Sequence, residues 1–334
     1  MLFGGLGDEH NISIASAQNI ALIFSRFRCW YWDKNNIIKE INTHELINFR
    51  NPLKQIFNPI SNKNWANIVL ALDDHKNKDL MFFNALHGYY GEDGFLAKLF
   101  EERGFYFTGS SSNVSKLAFN KSNSKKVISK HKILVAPEIR FSSLCVPMYF
   151  SKIQTFLQFY NKIILKPEIG GSSIGLYFCQ NNKELEKCLK KIYNFKKIYY
   201  LAEMFIDGIE ISVAVIENKK ELRALTCIEI CVLGDIFDYK AKYFSKLVKE
   251  IIPARISIRQ MCEAKKIALD VHRIIGCRGY SRIDMIVSNN DIYFLEINTL
   301  PGLSKKSLMP KILEYENISM KNFVMNQLLL ATML

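Results

Sequence analysis

Short apolar runs alternate with helix-like spacing along the first 110 residues. An apolar strand at Leu2-Phe3 ends in a glycine turn, and Ile14, Ala17 and Ala21 then recur at helical intervals. A second apolar strand, predicted over residues 80–86, leads into a glycine-rich polar loop and another helix. This alternation predicts an α/β domain around a parallel sheet, in which polar loops at the carboxyl ends of strands are the usual ligand-binding positions.

The pattern changes after about residue 111. It predicts one helix over 112–131, strands over 163–167, 198–205, 210–217 and 221–230, helices over 182–193 and 256–275, and a final hairpin. No repeat or low-complexity segment interrupts the chain. We therefore predict three lobes, residues 1–111, 112–207 and 208–334.

The final hairpin carries the strongest chemical signal. Its strands, 279–288 and 291–298, are joined by the turn-prone pair Asn289-Asn290. A turn centred there makes Asp284 and Glu296 cross-strand neighbours, with Cβ atoms about 5 Å apart. Alternation predicts one polar face and one apolar face. The polar face would hold Arg282, Asp284, Glu296 and Asn298, and the apolar face Ile283, Met285, Val287, Leu295 and Ile297.

Two opposed carboxylates need a compensating cation. Arg282 could supply it, in which case the hairpin is a salt-bridged surface. Two carboxylates and an amide oxygen are also hard ligands that suit a magnesium ion carried in with nucleotide phosphates, and this second reading fits the residues better.

A glycine-serine loop follows the apolar strand 163–165, from Lys166 to Gly175. Glycines allow backbone amides to approach phosphate oxygens, the hydroxyls of Ser172 and Ser173 are donors, and Lys166 adds a charge. Such a loop alone is weak evidence, because flexible turns share its composition, and it matches neither the Walker pattern nor the dinucleotide fingerprint.

Two further segments are candidates for binding or catalysis. Residues 238–243 lie in a long irregular stretch that could be a lid over a site or a plain surface patch. The hairpin ends in a Pro301-Gly302 turn, whose backbone amides could stabilise an oxyanion. His87, after a strand end, is a candidate substrate ligand.

Composition narrows the function classes. An apolar share of 49% with 23% charged residues is that of an ordinary globular protein, and no apolar run approaches the 18 to 20 residues of a membrane span. The net charge of +13 raises nucleic-acid binding, but the lysines are scattered, so we expect none. The eight cysteines form no Cys-x-x-Cys pair, which favours reduced core residues. The N-terminus lacks a secretory pattern, and we expect a cytoplasmic protein.

Taken together, the ordered motifs resemble those of D-alanine–D-alanine ligases along the whole chain. The matching segments are Phe3-Gly4-Gly5, Glu9-His10, His87-Gly88, Gly91-Glu92-Asp93-Gly94, Lys166-Pro167, Gly171-Ser172-Ser173, Asp238-Tyr239, Lys242-Tyr243, Arg282-Ile283-Asp284 and Glu296-Ile297-Asn298-Thr299. The resemblance implies an ATP-grasp fold, with an N-terminal α/β domain and two antiparallel-sheet lobes that clasp ATP. It also implies two Mg²⁺ (or Mn²⁺) ions and a homodimer.

The same resemblance implies site roles. ATP would be bound by Lys121, Lys166, Ser173, Glu203, Glu210 and Lys242. The metal ions would be held by Asp284, Glu296 and Asn298. The substrates would be bound by Glu9, Asn11, His87, Ser307 and Leu308. Catalysis would use Arg282, Ser172, Tyr243 and the backbone amide of Gly302.

One departure from the family pattern concerns the first substrate. The family usually reads Glu-His-Glu or a similar triplet where this chain has Glu9-His10-Asn11. The missing carboxylate is the one expected to pair with the substrate ammonium, a loss of about 1 to 3 kcal/mol unless Glu9 replaces it. A degenerate, non-catalytic ATP-binding protein is therefore one alternative. A ligase that makes D-alanyl-D-lactate or D-alanyl-D-serine is another, although Tyr243 argues against the depsipeptide.

Overall fold

The computed structural model describes residues 1–171, 174–193, 198–218, 221–232 and 248–333. The first lobe contains a four-stranded sheet of order β1-β2-β3-β4. Its elements are β1 (Leu2–Gly4), α1 (His10–Ala21), β2 (Cys29–Trp32), β3 (Ile38–Ile41), α2 (Thr43–Asn48), β4 (Ser61–Trp65) and α3 (Ile68–Asp73). A small parallel sheet follows, made of β5 (Met81–Phe82) and β6 (Tyr106–Phe107) on either side of α4 (Phe95–Glu102).

The predicted parallel sheet of this lobe is in fact mixed. β1 and β2 pair in parallel, whereas β2, β3 and β4 form an antiparallel meander. A tight turn explains the reversal, because the Asp33 carboxylate accepts the backbone N–H groups of Asn35 and Ile37. The strand predicted over 80–86 is also shorter, because β5 ends at Phe82. Beyond it, Asn84 forms an isolated parallel bridge with Leu2, its backbone N–H donates to the Thr108 hydroxyl, and its side chain accepts the Leu86 N–H.

The second lobe begins with a helix pair where a single helix was predicted. Its elements are α5 (Ser112–Phe119), α6 (Lys121–Ser129), β7 (Leu134–Val135), β8 (Glu138–Ser142), a 3₁₀ turn (Ser143–Cys145), α7 (Val146–Tyr160), β9 (Ile163–Pro167), β10 (Tyr177–Cys179), α8 (Asn182–Tyr193) and β11 (Tyr199–Met204). Asn120 breaks the helix because its backbone is extended and its side chain caps α6 by accepting the Asn123 N–H. α7 was not predicted. The antiparallel sheet β10-β9-β11-β8 packs against α7 and α8.

The third lobe is built on a seven-stranded sheet of order β15-β14-β12-β16-β17-β7, with β13 paired to β12. Its elements are β12 (Ile209–Asn218), β13 (Glu221–Ala224), β14 (Ile228–Val232), β15 (Val248–Ile251), α9 (Ile258–Ile275), β16 (Tyr280–Ser288), β17 (Asp291–Asn298), α10 (Leu308–Tyr315) and α11 (Met320–Ala331). The single strand predicted over 221–230 is thus two strands. None of the helices in the described ranges is long and apolar enough to cross a bilayer.

The hairpin register agrees with the sequence prediction on its polar face. Asp284 lies opposite Glu296, and Arg282 opposite Asn298. The apolar face differs, because a β-bulge beyond Asp284 pairs Met285 with Phe294. One extra residue reverses the alternation of β17, so Phe294 enters the core and the prediction that Leu295 does so is wrong.

The first and third lobes share one hydrophobic core. Phe3 and Ile14 of the first lobe belong to the same buried cluster as Leu303, Met309 and Phe323. Residues far apart in sequence therefore fix the position of the segment between β17 and α10.

Candidate active site

A cavity of about 300 Å³ lies where the three lobes meet. Among the described residues, nine that the sequence nominated line it: Glu9, His87, Lys121, Arg282, Glu296, Asn298, Gly302, Ser307 and Leu308. The fold therefore brings together residues separated by up to 299 positions in the chain, from Glu9 to Leu308.

The hairpin forms the charged wall of this cavity. Arg282 donates from Nε and Nη2 to the two carboxylate oxygens of Asp284, at 2.8 and 2.7 Å. Asp284 is buried and also accepts hydrogen bonds from Ser212 Oγ and Asn298 Nδ2. On the facing strand, Glu296 Oε2 lies 3.1 Å from Lys121 Nζ. Asp284 is thus paired with Arg282, and Glu296 with Lys121. The first pair is the salt bridge that the structural alternative for the hairpin required.

The donor set of this wall also fits a hard divalent cation. Glu296 and Asn298 line the cavity, and Asp284 faces Glu296 across the hairpin. The described residues contain no cluster of three or more His, Cys, Asp or Glu side chains placed to hold a metal. Two carboxylates and one amide would leave ligand positions for phosphate oxygens, as is common for nucleotide-bound magnesium.

Lys121 owes its position to the break between α5 and α6. It is the first residue of α6, its backbone N–H donates to the Glu168 carbonyl at 3.0 Å, and its ammonium group bonds the Gly170 carbonyl. Lys121 therefore links the glycine loop of the second lobe to Glu296 of the third.

Behind this wall lies a buried ionic cluster in the second lobe. Glu203 contacts Lys125, and its other carboxylate oxygen lies 2.8 Å from Lys166 Nζ. Lys125 also lies 3.5 Å from the Glu138 carboxylate. Burial raises the pKa of Glu203, but the two neighbouring lysines outweigh it and hold the pKa below its usual value. Lys166 and Glu203, both nominated for nucleotide binding, thus contact each other.

The structure separates the two nominated residues of the N-terminal turn. Glu9 lines the cavity, and its carboxylate lies against the glycine loops. A Cβ added to Gly88 would lie 2.6 Å from a Glu9 carboxylate oxygen. Asn11 does not line the cavity, and its amide points to the Leu53 carbonyl at 3.5 Å. Leu53 itself lines the cavity, so Asn11 lies next to the lining without being part of it, and its predicted substrate contact stays a prediction.

His87 and Glu92 form a buried polar layer beneath the cavity. His87 bonds Leu300 O through Nδ1 and Ser16 Oγ through Nε2, both at 2.8 Å. Glu92 accepts the backbone N–H groups of Gly88 at 3.1 Å and Leu300 at 3.3 Å. Burial, with the nearby Glu9 charge, raises the pKa of Glu92 to about 7. Glu92 is one functional candidate that sequence reasoning did not single out, although it belongs to the glycine-rich motif.

The opposite wall is the turn that leads into α10. A Cβ on Gly302 would lie 2.7 Å from Ser307 Oγ, so a side chain at this position would displace the Ser307 hydroxyl. Ser307 precedes α10 without capping it, and its hydroxyl bonds the Ser304 hydroxyl at 2.8 Å. A helix N-terminus attracts anions, and the lysines at positions 306 and 311 also line this wall. These lysines were missed because no helix was predicted after the hairpin.

The remaining nominated residues lie elsewhere. Glu210 is half-buried on β12, opposite Ile286 of β16. Ser172, Ser173, Lys242 and Tyr243 lie outside the described residues.

Comparisons with known proteins identify the family of this chain. Residues 1–110 match the family model described as the D-ala D-ala ligase N-terminus, and residues 148–329 match the model for the D-ala D-ala ligase C-terminus. The chain belongs to the D-alanine–D-alanine ligase family. A family member from Pelagibacter ubique is 35% identical over 274 residues, which cover 80% of this chain and 87% of the relative. One from Carboxydothermus hydrogenoformans is 34% identical over 286 residues, covering 85% and 90%.

Solved structures confirm the fold. The D-alanine–D-alanine ligase from Coxiella burnetii aligns with a TM-score of 0.77 at 23% identity, covering 99% of this chain and 93% of that one. The VanG D-Ala:D-Ser ligase from Enterococcus faecalis aligns with a TM-score of 0.81 at 23% identity, covering 99% and 98%. The predicted ATP-grasp fold is therefore confirmed.

Proposed function

We propose that this chain joins two D-alanines into D-alanyl-D-alanine at the expense of ATP, for the synthesis of peptidoglycan precursors. The observation that carries the proposal is that one cavity collects Glu9, Arg282, Gly302 and Ser307 in a chain of this family. ATP is a substrate in this reaction. Its terminal phosphoryl group passes to a carboxylate oxygen of the first D-alanine and gives an acyl phosphate and ADP.

We assign the ammonium group of the first D-alanine to Glu9. Its carboxylate is in the cavity, whereas Asn11 bonds the Leu53 carbonyl. Glu9 would thus provide the negative charge whose loss was expected from the sequence, which argues against the degenerate-protein alternative.

We assign the nucleotide phosphates to Lys121 and Lys166, and the adenosine to Glu203 and Glu210. Two Mg²⁺ ions would be held by Glu296, Asn298 and Asp284, whose oxygens suit this ion, and they would neutralise charge on the phosphates. The predicted contributions of Ser172, Ser173, Lys242 and Tyr243 remain predictions.

In the second step, the amine of the second D-alanine attacks the acyl phosphate carbon and loses a proton. A C–N bond forms, and phosphate leaves as the C–O bond breaks. Arg282 and the Gly302 amide would stabilise the negative oxygen of the tetrahedral intermediate, since both face the cavity. Ser307 and the Leu308 amide, at the N-terminus of α10, would hold the carboxylate of the second D-alanine.

The homodimer and the cytoplasmic location are further parts of this proposal. Family membership supports the dimer, and the need for ATP supports the location. Sedimentation of the purified chain would test the first, and a monomer at working concentration would reject it.

The decisive experiment measures phosphate release and identifies the product. With D-alanine, ATP and Mg²⁺, we expect stoichiometric phosphate and D-alanyl-D-alanine by mass spectrometry. An equimolar mixture of D-alanine, D-lactate and D-serine separates the alternatives, because a dominant depsipeptide or D-alanyl-D-serine product would reject the proposed specificity. ATP binding without turnover would identify a non-catalytic protein.

A further inference from the structure

The turn from Leu300 to Leu303 is held at both ends by side chains of the first lobe. At one end, the Leu300 N–H donates to Glu92 and the Leu300 carbonyl accepts from His87. At the other, the Leu303 N–H donates to Ser16 Oγ at 3.0 Å and its carbonyl accepts from Asn19 Nδ2 at 2.8 Å. The two end residues of the turn thus have all their backbone polar groups bonded to the first lobe.

Ser16 and His87 also bond each other, at 2.8 Å, and so connect the two ends of the turn. A carbonyl oxygen can only accept, so the Leu300 bond places the proton on His87 Nδ1. Burial lowers the pKa of His87, which favours the neutral ring. His87 Nε2 then accepts the Ser16 hydroxyl proton, and Ser16 Oγ accepts the Leu303 N–H.

This chain of bonds leaves neither ring nitrogen of His87 for a substrate. All four anchoring side chains are nine-tenths or more buried, so their hydrogen bonds are shielded from water and any loss is costly. Ser16 and Asn19 lie three residues apart on α1 and therefore share one helix face.

We propose that Ser16 and His87 are positioning residues that fix the Leu300–Leu303 turn, and with it the backbone amide of Gly302, for stabilisation of the oxyanion. The inference rests on the proposed function only for the role of that amide. The hydrogen bonds from Ser16, Asn19, His87 and Glu92 to this turn, which we call the brace, are a feature of the fold. They couple the first lobe to the catalytic turn of the third.

The first test measures the brace without any substrate. Amide hydrogen exchange at Leu303 should be about tenfold faster in Ser16→Ala, because one shielded hydrogen bond is lost. An unchanged exchange rate at Leu303 would overturn the inference, and this result does not depend on whether the chain is a ligase.

The second test is kinetic. Ser16→Ala should lower kcat for dipeptide formation by about tenfold while KM for ATP changes less than about twofold, because the bond acts on the transition state. The inhibition constant of a phosphinate dipeptide analogue, whose tetrahedral centre mimics the intermediate, should rise by the same factor. A loss confined to KM would overturn the inference, as would an unchanged inhibition constant.

Ser13→Ala is a matched control. Ser13 lies on the same helix, is equally buried, and its hydroxyl bonds Gly4 N and Ala85 O, both within the first lobe. It should lower stability to a similar degree yet leave kcat within about twofold. Equal loss of kcat in both serine variants would show a general structural effect and overturn the inference.

Variants of His87 give an independent test in case Ser16→Ala does not fold. In His87→Asn the side-chain amide can still donate to the Leu300 carbonyl, whereas His87→Ala removes both bonds. The expected order of kcat is wild type, then His87→Asn, then His87→Ala. Equal activity of the two variants would contradict the positioning role.

Discussion

The site contains two groups of paired carboxylates that differ in how far protein cations enclose them. Glu203 of the second lobe is 3% exposed and is contacted by both Lys125 and Lys166. Glu296 of the hairpin keeps 24% of its side chain exposed beside Lys121, at the cavity wall. The comparison suggests two different roles. Lys125 neutralises the buried cluster and so stabilises the second lobe around Lys166 and Glu203, the proposed nucleotide ligands, whereas the more exposed hairpin would hold the metal ions.

The largest expected effect is a loss of ATP turnover at the hairpin with little change in stability. Glu296→Gln should reduce ATP turnover about a thousandfold, or about 4 kcal/mol, because it removes a charged ligand of the proposed metal site. The thermal midpoint should change little, since Glu296 is partly exposed. Asp291→Asn, an exposed position on the same strand, is the matched control and should retain full activity. Turnover of Glu296→Gln at saturating Mg²⁺ equal to that of the control would contradict the assignment.

A substitution in the buried cluster should affect stability, in contrast to the loss of turnover expected at the hairpin. Lys125→Met should lower the free energy of unfolding by about 3 kcal/mol, because it leaves buried carboxylates short of a cation. Urea unfolding gives this value, and Lys126→Met, an exposed neighbour on α6, should cost almost nothing. If the two variants unfold alike, the cluster does not stabilise the lobe as argued.

The polar layer beneath the cavity predicts a pH dependence. The pKa of Glu92 rises from 4.5 to about 7 on folding, so the folded protein holds this proton more tightly than the unfolded chain. Its contribution to stability is present below pH 4.5 and is lost as the pH rises towards 7. When the pH is raised from 5 to 8, the free energy of unfolding of Glu92→Gln should therefore increase by about 2 to 3 kcal/mol relative to that of the wild type. Parallel stability curves for the two proteins would refute this.

The smallest effect distinguishes two neighbours on the N-terminal turn. Glu9→Gln should raise KM for the first D-alanine about tenfold, because it removes the proposed ammonium partner. Asn11→Ala and Asn11→Glu should each change KM less than about twofold, since Glu9 lines the cavity and Asn11 does not. A lower KM in Asn11→Glu would restore position 11 to the substrate site.

The sequence predicted those parts of the site that depend on local pattern. The facing of Asp284 and Glu296 followed from strand alternation and the position of the turn. The bulge that moves Phe294 into the core did not follow, because nothing in the residue types marks the extra residue. A helix break was likewise hidden at Asn120, whose capping bond is visible only in three dimensions.

Buried polar residues were the hardest to recognise. Ser16 and Asn19 interrupt an apolar helix pattern and look like surface positions, yet both bond the Leu303 backbone. Lys125 is one lysine among many in a basic chain, and only its contact with Glu203 distinguishes it. Their partners lie far away in sequence, and periodicity carries no information about such distances.

The shared core of the first and third lobes has a consequence for synthesis on the ribosome. Phe3 and Ile14 are synthesised about 300 residues before Met309 and Phe323, which complete their packing. The first lobe therefore keeps apolar surface uncovered until those later residues have been made. Such long-range closure is slow and leaves a nascent chain prone to aggregation, so this lobe is where we expect a chaperone to bind while translation continues.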